Sequence, residues 1–334
     1  MRTLRFARSF AALWVLAVAM QSQAQPRPAP GSEDIKPLFA SSDTVCVGKV
    51  LSVSRGVATV LVERYYKSTD TGSSIKVRYS KPEASAGTNS VTLAPGEHVL
   101  LFLRRASQEF EFADPWFSKL PMSSYLAKEG RRPGLAQLEL DLEAGLNDPQ
   151  RQSIRNNLEI LGGMEKLERT TKIRELAASP ELEIRAAALL ALQRVGDYSH
   201  IQQSLELMSL PIGGGTLSEA LRLLPITFES VNDRRVLPIL FRFADSPYWA
   251  VRTSVMKALR NLHDPRSVPM IVRRLEDSDF FIRYDAVFTL AAIEEKQDAN
   301  WLPALGEYKK YESRYLNQWK QWWATEGSAK YKSP

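Results

Sequence analysis

The sequence predicts an α+β protein of two domains, a small β-barrel followed by an α-solenoid. Residues 44–116 hold five short runs rich in Val, Leu, Tyr and Phe, punctuated by turn residues and interrupted by no long helix. Residues 135–324 switch to the 3.6-residue apolar period of helices and repeat themselves. Composition agrees. A chain of 334 residues, 44% hydrophobic and 25% charged, can bury a core in each of two domains. Those proportions exclude wholesale disorder, collagen and a disulfide scaffold.

The first 24 residues stand apart from the fold. Arg2, Arg5 and Arg8 form a basic start, Phe10 to Met20 is an unbroken apolar run, and Ser22-Gln23-Ala24 places small residues around a cleavage point after Ala24. This is the layout of a secretory signal peptide, and the run is short of the ~20 residues that span a bilayer. The expectation is an exported protein, periplasmic or secreted. Cleavage removes three arginines and no acids, lowering the net charge from +6 to +3. Residues 305–334 carry six cations against three acids, so the rest of the mature chain is near neutral. That leaves no broad basic footprint, and no nucleic-acid partner is expected. The single cysteine, Cys46, allows no internal disulfide and sits in a strand-like run, as a buried thiol would.

Residues 25–34 form a proline-rich leader, with Pro26, Pro28 and Pro30 favouring an extended chain. The barrel is expected over 35–120. A short helical turn at 35–43 precedes strands at 44–54, 57–67, 74–80, 97–105 and 109–113, with a tight hairpin at Ser54-Arg55-Gly56 and a longer loop over 81–96. The runs Asp43-Thr44-Val45-Cys46-Val47-Gly48-Lys49-Val50, Ala58-Thr59-Val60-Leu61-Val62-Glu63 and Leu93 to Phe102 resemble the OB-like barrel of netrin-type and metalloproteinase-inhibitor (TIMP-like) modules. Those inhibitors use an N-terminal cysteine and disulfides. This chain has a single Cys, so the resemblance implies the fold and not the inhibition. Residues 121–134, with Pro121, Gly130, Pro133 and Gly134, are the expected connector.

The repeat occupies 135–297. Ile154-Arg155, Ile184-Arg185, Leu217-Ser218, Val251-Arg252 and Ile282-Arg283 each sit near the start of a helical stretch, and successive units are 30, 33, 34 and 31 residues apart. Each unit has room for two helices. The first are expected at 135–146, 166–178, 199–209, 234–244 and 266–276. The second are expected at 150–161, 181–195, 216–229, 247–262 and 279–293. One pair cannot bury its apolar face alone, and stacked neighbours can. The units resemble HEAT repeats, and their short Ala-rich form resembles the HEAT-like repeats of phycobilisome lyases. The resemblance implies a ladder of Asp and Arg, here Asp148 with Arg155, Asp245 with Arg252 and Asp277 with Arg283. Arg185 has no matching Asp. Gly213-Gly214-Gly215 marks an insertion in the middle unit.

Residues 298–326 are expected to form a terminal cap helix, with Tyr308, Tyr311, Tyr315, Trp319 and Trp322 on one stripe. The same stripe, set among Lys309, Lys310, Arg314 and Lys320, could instead rest on an anionic membrane surface.

No catalytic or metal-binding motif emerges. His98, His200 and His263 are far apart, and no G-x-S-x-G, H-E-x-x-H, P-loop or EF-hand spacing is present. No cofactor or metal is expected. The function expected is non-catalytic binding of a protein partner through the concave face of the solenoid. Candidate contacts are Asn156, Arg222, Thr253, Lys257 and Tyr284, all near the ladder positions. An enzyme or enzyme accessory is the alternative, and an envelope-surface anchor through the basic C-terminal helix is a second.

Overall fold

In the N-terminal barrel, β1 (Thr44–Ser54) and β2 (Val57–Lys67) form an antiparallel hairpin. Its turn puts Arg55 and Gly56 at φ of 49° and 78°, the left-handed region that a glycine adopts without cost. The computed structural model describes residues 35–79, 92–114, 118–128, 134–210, 219–296 and 298–331. The predicted signal peptide, the leader and the Gly213-Gly214-Gly215 insertion lie outside them.

β3 (Ser74–Arg78) pairs antiparallel with β2 and parallel with β5 (Glu109–Phe112). β4 (His98–Ala106) joins β5 to β1, both antiparallel, so the ring closes in the order β1-β2-β3-β5-β4. This is the OB-like arrangement. Cys46, Val50, Val60, Val77, Leu101 and Phe110 fill its interior. The alternate residues of β1 and β4, namely Val45, Val47, Leu100 and Phe102, belong to the helical core instead. These two strands are buried on both faces, which is why their sequences run apolar without alternation. A side chain at Gly48 would collide with the Leu61 carbonyl, so only glycine fits at this bulge. A sixth strand, β6 (Lys119–Pro121), extends the far end of β4. It falls at the end of the expected barrel and was not expected as a strand.

Before the barrel, α1 (Ile35–Ser41) buries Ile35 and Leu38. After it the described residues form five helix pairs. They are α2 (Gly134–Ala144) with α3 (Arg151–Gly162), α4 (Thr171–Leu176) with α5 (Leu182–Arg194), and α6 (Ile201–Met208) with α7 (Glu219–Thr227). The last two are α8 (Leu237–Phe243) with α9 (Trp249–Leu262), and α10 (Val268–Arg273) with α11 (Phe280–Ile293). The second helix of each pair packs on the next, in the order α3, α5, α7, α9, α11. Several first helices are shorter than the apolar period predicts, because 3₁₀ turns take over their ends. Asp233 and Asp264 nucleate two such turns by accepting the backbone N–H two residues on.

The described residues form one compact unit. Asp141 of α2, fully buried, ties barrel to solenoid. It accepts from Tyr66 Oη of β2 at 2.8 Å, Gln137 Nε2 at 3.1 Å and the Ala127 backbone N–H at 3.0 Å, and it pairs with Arg64. Arg64 also donates to the Ala127 carbonyl at 3.1 Å. The described part of the segment expected as a connector, 121–128, is therefore stapled to both domains. Asn157 and Asp148 add to this. Ser123 donates its backbone N–H to Asn157 Oδ1 at 3.1 Å and its hydroxyl to Asp148 at 2.6 Å.

The C-terminal helix α12 (Leu305–Trp322) covers the last pair and runs on through a π turn (Trp323–Gly327) into α13 (Ser328–Lys330). Tyr308, Tyr315, Trp319 and Trp322 are buried, as the stripe predicts. Tyr311 is not, and is 42% exposed. Its backbone departs from helical geometry at φ −129° and ψ 33°, which kinks α12 and turns the side chain out of the stripe.

Candidate protein-interaction surface

In the solenoid, Arg252 and Arg283 make the same contacts in successive units. Arg252 Nη1 donates to the carbonyls of Ser246 and Pro247, the turn before its own helix, at 2.8 and 3.2 Å. Its Nε and Nη2 grip both oxygens of Asp277, in the following unit, at 2.9 Å each. Arg283 repeats this one unit later, donating to the carbonyls of Asp277 and Ser278 and through Nε to Glu312 of α12 at 2.7 Å. The Glu312 carboxylate holds the Arg283 guanidinium above its usual range. Arg155 reaches forward in the same way to Glu183 at 2.8 Å.

The ladder therefore runs forward from each Arg to an acid of the next element. The expected pairing with the acid six or seven residues earlier does not form. Asp245 instead pairs with Arg274, and Asp148 is taken by Ser123 and the Gln150 backbone. The reason is geometric. The Arg side chain points across the stack, and the carbonyls of its own turn already fill its near side. Arg185 is half-buried, and its Nε has no hydrogen-bonding partner.

The candidate contacts separate by burial. Asn156 is partly exposed on α3 and accepts from Gln152 Nε2 at 2.7 Å. Thr253, Lys257 and Tyr284 are only 6–7% exposed. Lys257 pairs with Glu229 at 2.6 Å, and Tyr284 donates to the Pro303 carbonyl at 3.2 Å. These three face neighbouring helices and are not displayed to a partner. The side chain of Arg222 lies outside the described residues.

A shallow groove of about 50 Å³ opens between α3 and α5, with Leu223 of α7 at its end. Gln152, Arg155, Asn156 and Glu159 line one wall, and Leu190 and Arg194 line the other. Ala187 and Ala191 make the floor. A Cβ at Gly162 would meet Ala191 Cα at 3.1 Å, so small residues let the two helices approach closely beneath the groove. The surface offers apolar carbon at its base and both signs of charge at its rim, the composition of a protein contact.

Between α9 and α11 lies a buried polar cluster. Asp285 has one oxygen 3.7 Å from Arg260, and its other oxygen lacks a hydrogen-bonding partner. Thr253 Oγ1 and Thr289 Oγ1 are likewise buried without one. Burial outweighs the nearby Arg260 and Lys257 and pushes the Asp285 carboxyl up to about 6. In the barrel, burial pushes the Cys46 thiol up to about 12, which leaves it unreactive at neutral pH. Among the described residues, no group of three His, Cys, Asp or Glu side chains is placed to hold a metal ion, and no helix is long and apolar enough to cross a membrane.

Residues 216–308 match the family model for HEAT repeats. The match spans α7 to the first turn of α12, where the forward Arg ladder is most regular. No curated protein matches the chain.

Proposed function

We propose that this protein is an exported, non-catalytic scaffold that holds a protein partner on the face displayed by its second helices. HEAT-type arrays present such a face as an extended binding surface. The observation that carries the reading is the groove between α3 and α5, floored by Ala187 and Ala191 and rimmed by Gln152, Asn156 and Arg194. Here two neighbouring second helices leave room for a partner's side chain. Export is supported by the basic start, the apolar run and the Ala24 cleavage point.

The test is photo-crosslinking in the native host. A crosslinker at position 152 or 156 should give one covalent adduct with a single envelope or secreted protein. Ala187→Trp, which fills the groove, should abolish the adduct. The N-terminus of the same preparation should be Gln25 by mass spectrometry. An adduct unaffected by Ala187→Trp would overturn the groove assignment, and intact Met1 in the cytosolic fraction would overturn export. Turnover on a hydrolase panel, lost on a point mutation, would replace the scaffold with an enzyme.

A further inference from the structure

We propose that the edge of the solenoid carrying the arginine ladder, together with the outward face of α12, docks on an anionic lipid surface. This rests on different residues from the groove and does not depend on it. Trp249 and Phe281 stand 62% and 47% exposed in the first turns of α9 and α11. They occupy nearly the same register, three and two residues before their ladder arginines. The ladder contacts set these turns side by side. Arg252 holds the Ser246-Pro247 turn to Asp277, and Arg283 holds the Asp277-Ser278 turn to Glu312. The edge therefore leads from Trp249 past Phe281 to α12.

On α12 the charge becomes one-sided. Lys309, Lys310 and Arg314 are exposed, and among the described residues none of them forms an ion pair; of the two acids of α12 itself, Glu312 is paired with Arg283 and Glu307 is exposed, while Glu276 reaches the helix through Lys320. Lys310 sits 4.9 Å from the centre of the Tyr311 ring, itself 42% exposed. Aromatic rings beside cations suit a lipid interface, where the rings sit among headgroups and the cations meet lipid phosphates. The aromatic side chains stand out singly, one or two to a unit. A bilayer surface receives such a dispersed row without the shaped cleft that a peptide needs.

The experiment uses the mature chain, residues 25–334, spun down with phosphatidylcholine vesicles with and without phosphatidylglycerol. Co-sedimentation is expected with the anionic vesicles only, falling as salt is added. Two variants, Trp249→Ser with Phe281→Ser, and Lys309→Glu with Lys310→Glu and Arg314→Glu, should each cut binding about tenfold or more. All five residues are exposed, so both variants should keep the parent melting curve and the crosslink at position 156. Absence of binding to anionic vesicles, or equal binding to neutral ones, would overturn the proposal. So would binding that survives both variants. Loss with the charge variant alone, matched by equal binding to a soluble acidic protein, would assign the face to a protein partner instead.

Discussion

Arg252 and Asp277 carry the ladder at the level of single side chains. Both are under 10% exposed, and they meet through two parallel hydrogen bonds. Arg252→Ala leaves Asp277 with Arg274 at 3.3 Å and the Asp279 N–H at 3.0 Å. A loss of about 1–3 kcal/mol is expected in chemical denaturation. Asp245→Ala should cost under about 1 kcal/mol, because its side chain is 65% exposed. Equal costs for the two variants would contradict the forward ladder. Asp285 gives a prediction in pH. Its carboxyl ordinarily titrates near 3.8 and is raised to about 6 by burial. Between those values the unfolded chain has released the proton and the folded chain has kept it, so this group lowers stability as pH rises. The penalty is complete above about pH 6 and amounts to about 3 kcal/mol. Asp285→Asn removes it. Urea melts should show the variant gaining on the parent by about 1–3 kcal/mol more at pH 7 than at pH 4. A difference that does not change with pH would show that Asp285 is ionised in the folded protein across that range.

At the scale of elements, the joint between β2, the 118–128 segment and α2 turns on Asp141. Asp141→Ala would leave the Tyr66 hydroxyl, the Gln137 amide and the Ala127 N–H without their acceptor in a buried place. About 2 kcal/mol or more should be lost. Hydrogen exchange should quicken across 118–128 while the Cys46 and Val60 amides, deep in the barrel, stay protected. Equal quickening in both would mean that barrel and solenoid open as one. Much of this level was legible in the sequence. The five barrel strands follow the apolar runs within two residues, and all five second helices lie where the repeat puts them. β6 escaped because three residues ending in proline carry no periodicity. The ladder partners escaped because Asp277 is 25 residues from Arg252 and Glu312 is 29 from Arg283, beyond any local spacing. Thr253, Lys257 and Tyr284 were misplaced for a related reason. A second helix in a stack buries two sides, one against each neighbour, and its position relative to an arginine does not tell those sides from the open one. The groove had a usable signal in the sequence, the alanines at 187 and 191 one turn apart.

For the whole molecule, a stacked array must close both of its ends, and this chain does so with unrelated elements. At the N-terminal end the outer faces of β1 and β4 supply Val45, Val47, Leu100 and Phe102 to the core that holds Leu138 and Leu142 of α2. At the C-terminal end α12 covers α11. The Tyr308 ring lies 5.4 Å from Phe280 and 5.0 Å from Tyr284, centre to centre. Trp319 packs edge-on against Trp301 at 4.7 Å and donates its indole N–H to the Trp301 carbonyl at 3.3 Å. Glu312 completes the ladder for Arg283. Truncation after Gln297 removes all of this at once, uncovering Phe280 and Tyr284 and leaving Arg283 without its carboxylate. Burial of Trp319 and Trp322 alone contributes about 4 kcal/mol, a large share of the ~5–15 kcal/mol by which a domain is stable. The shortened chain should melt at a lower temperature and associate end to end or aggregate, seen as earlier elution in size exclusion. If it stays monomeric with an unchanged melt, the fifth helix pair closes the array unaided. In that case the buried aromatic stripe of α12 does not serve as a cap.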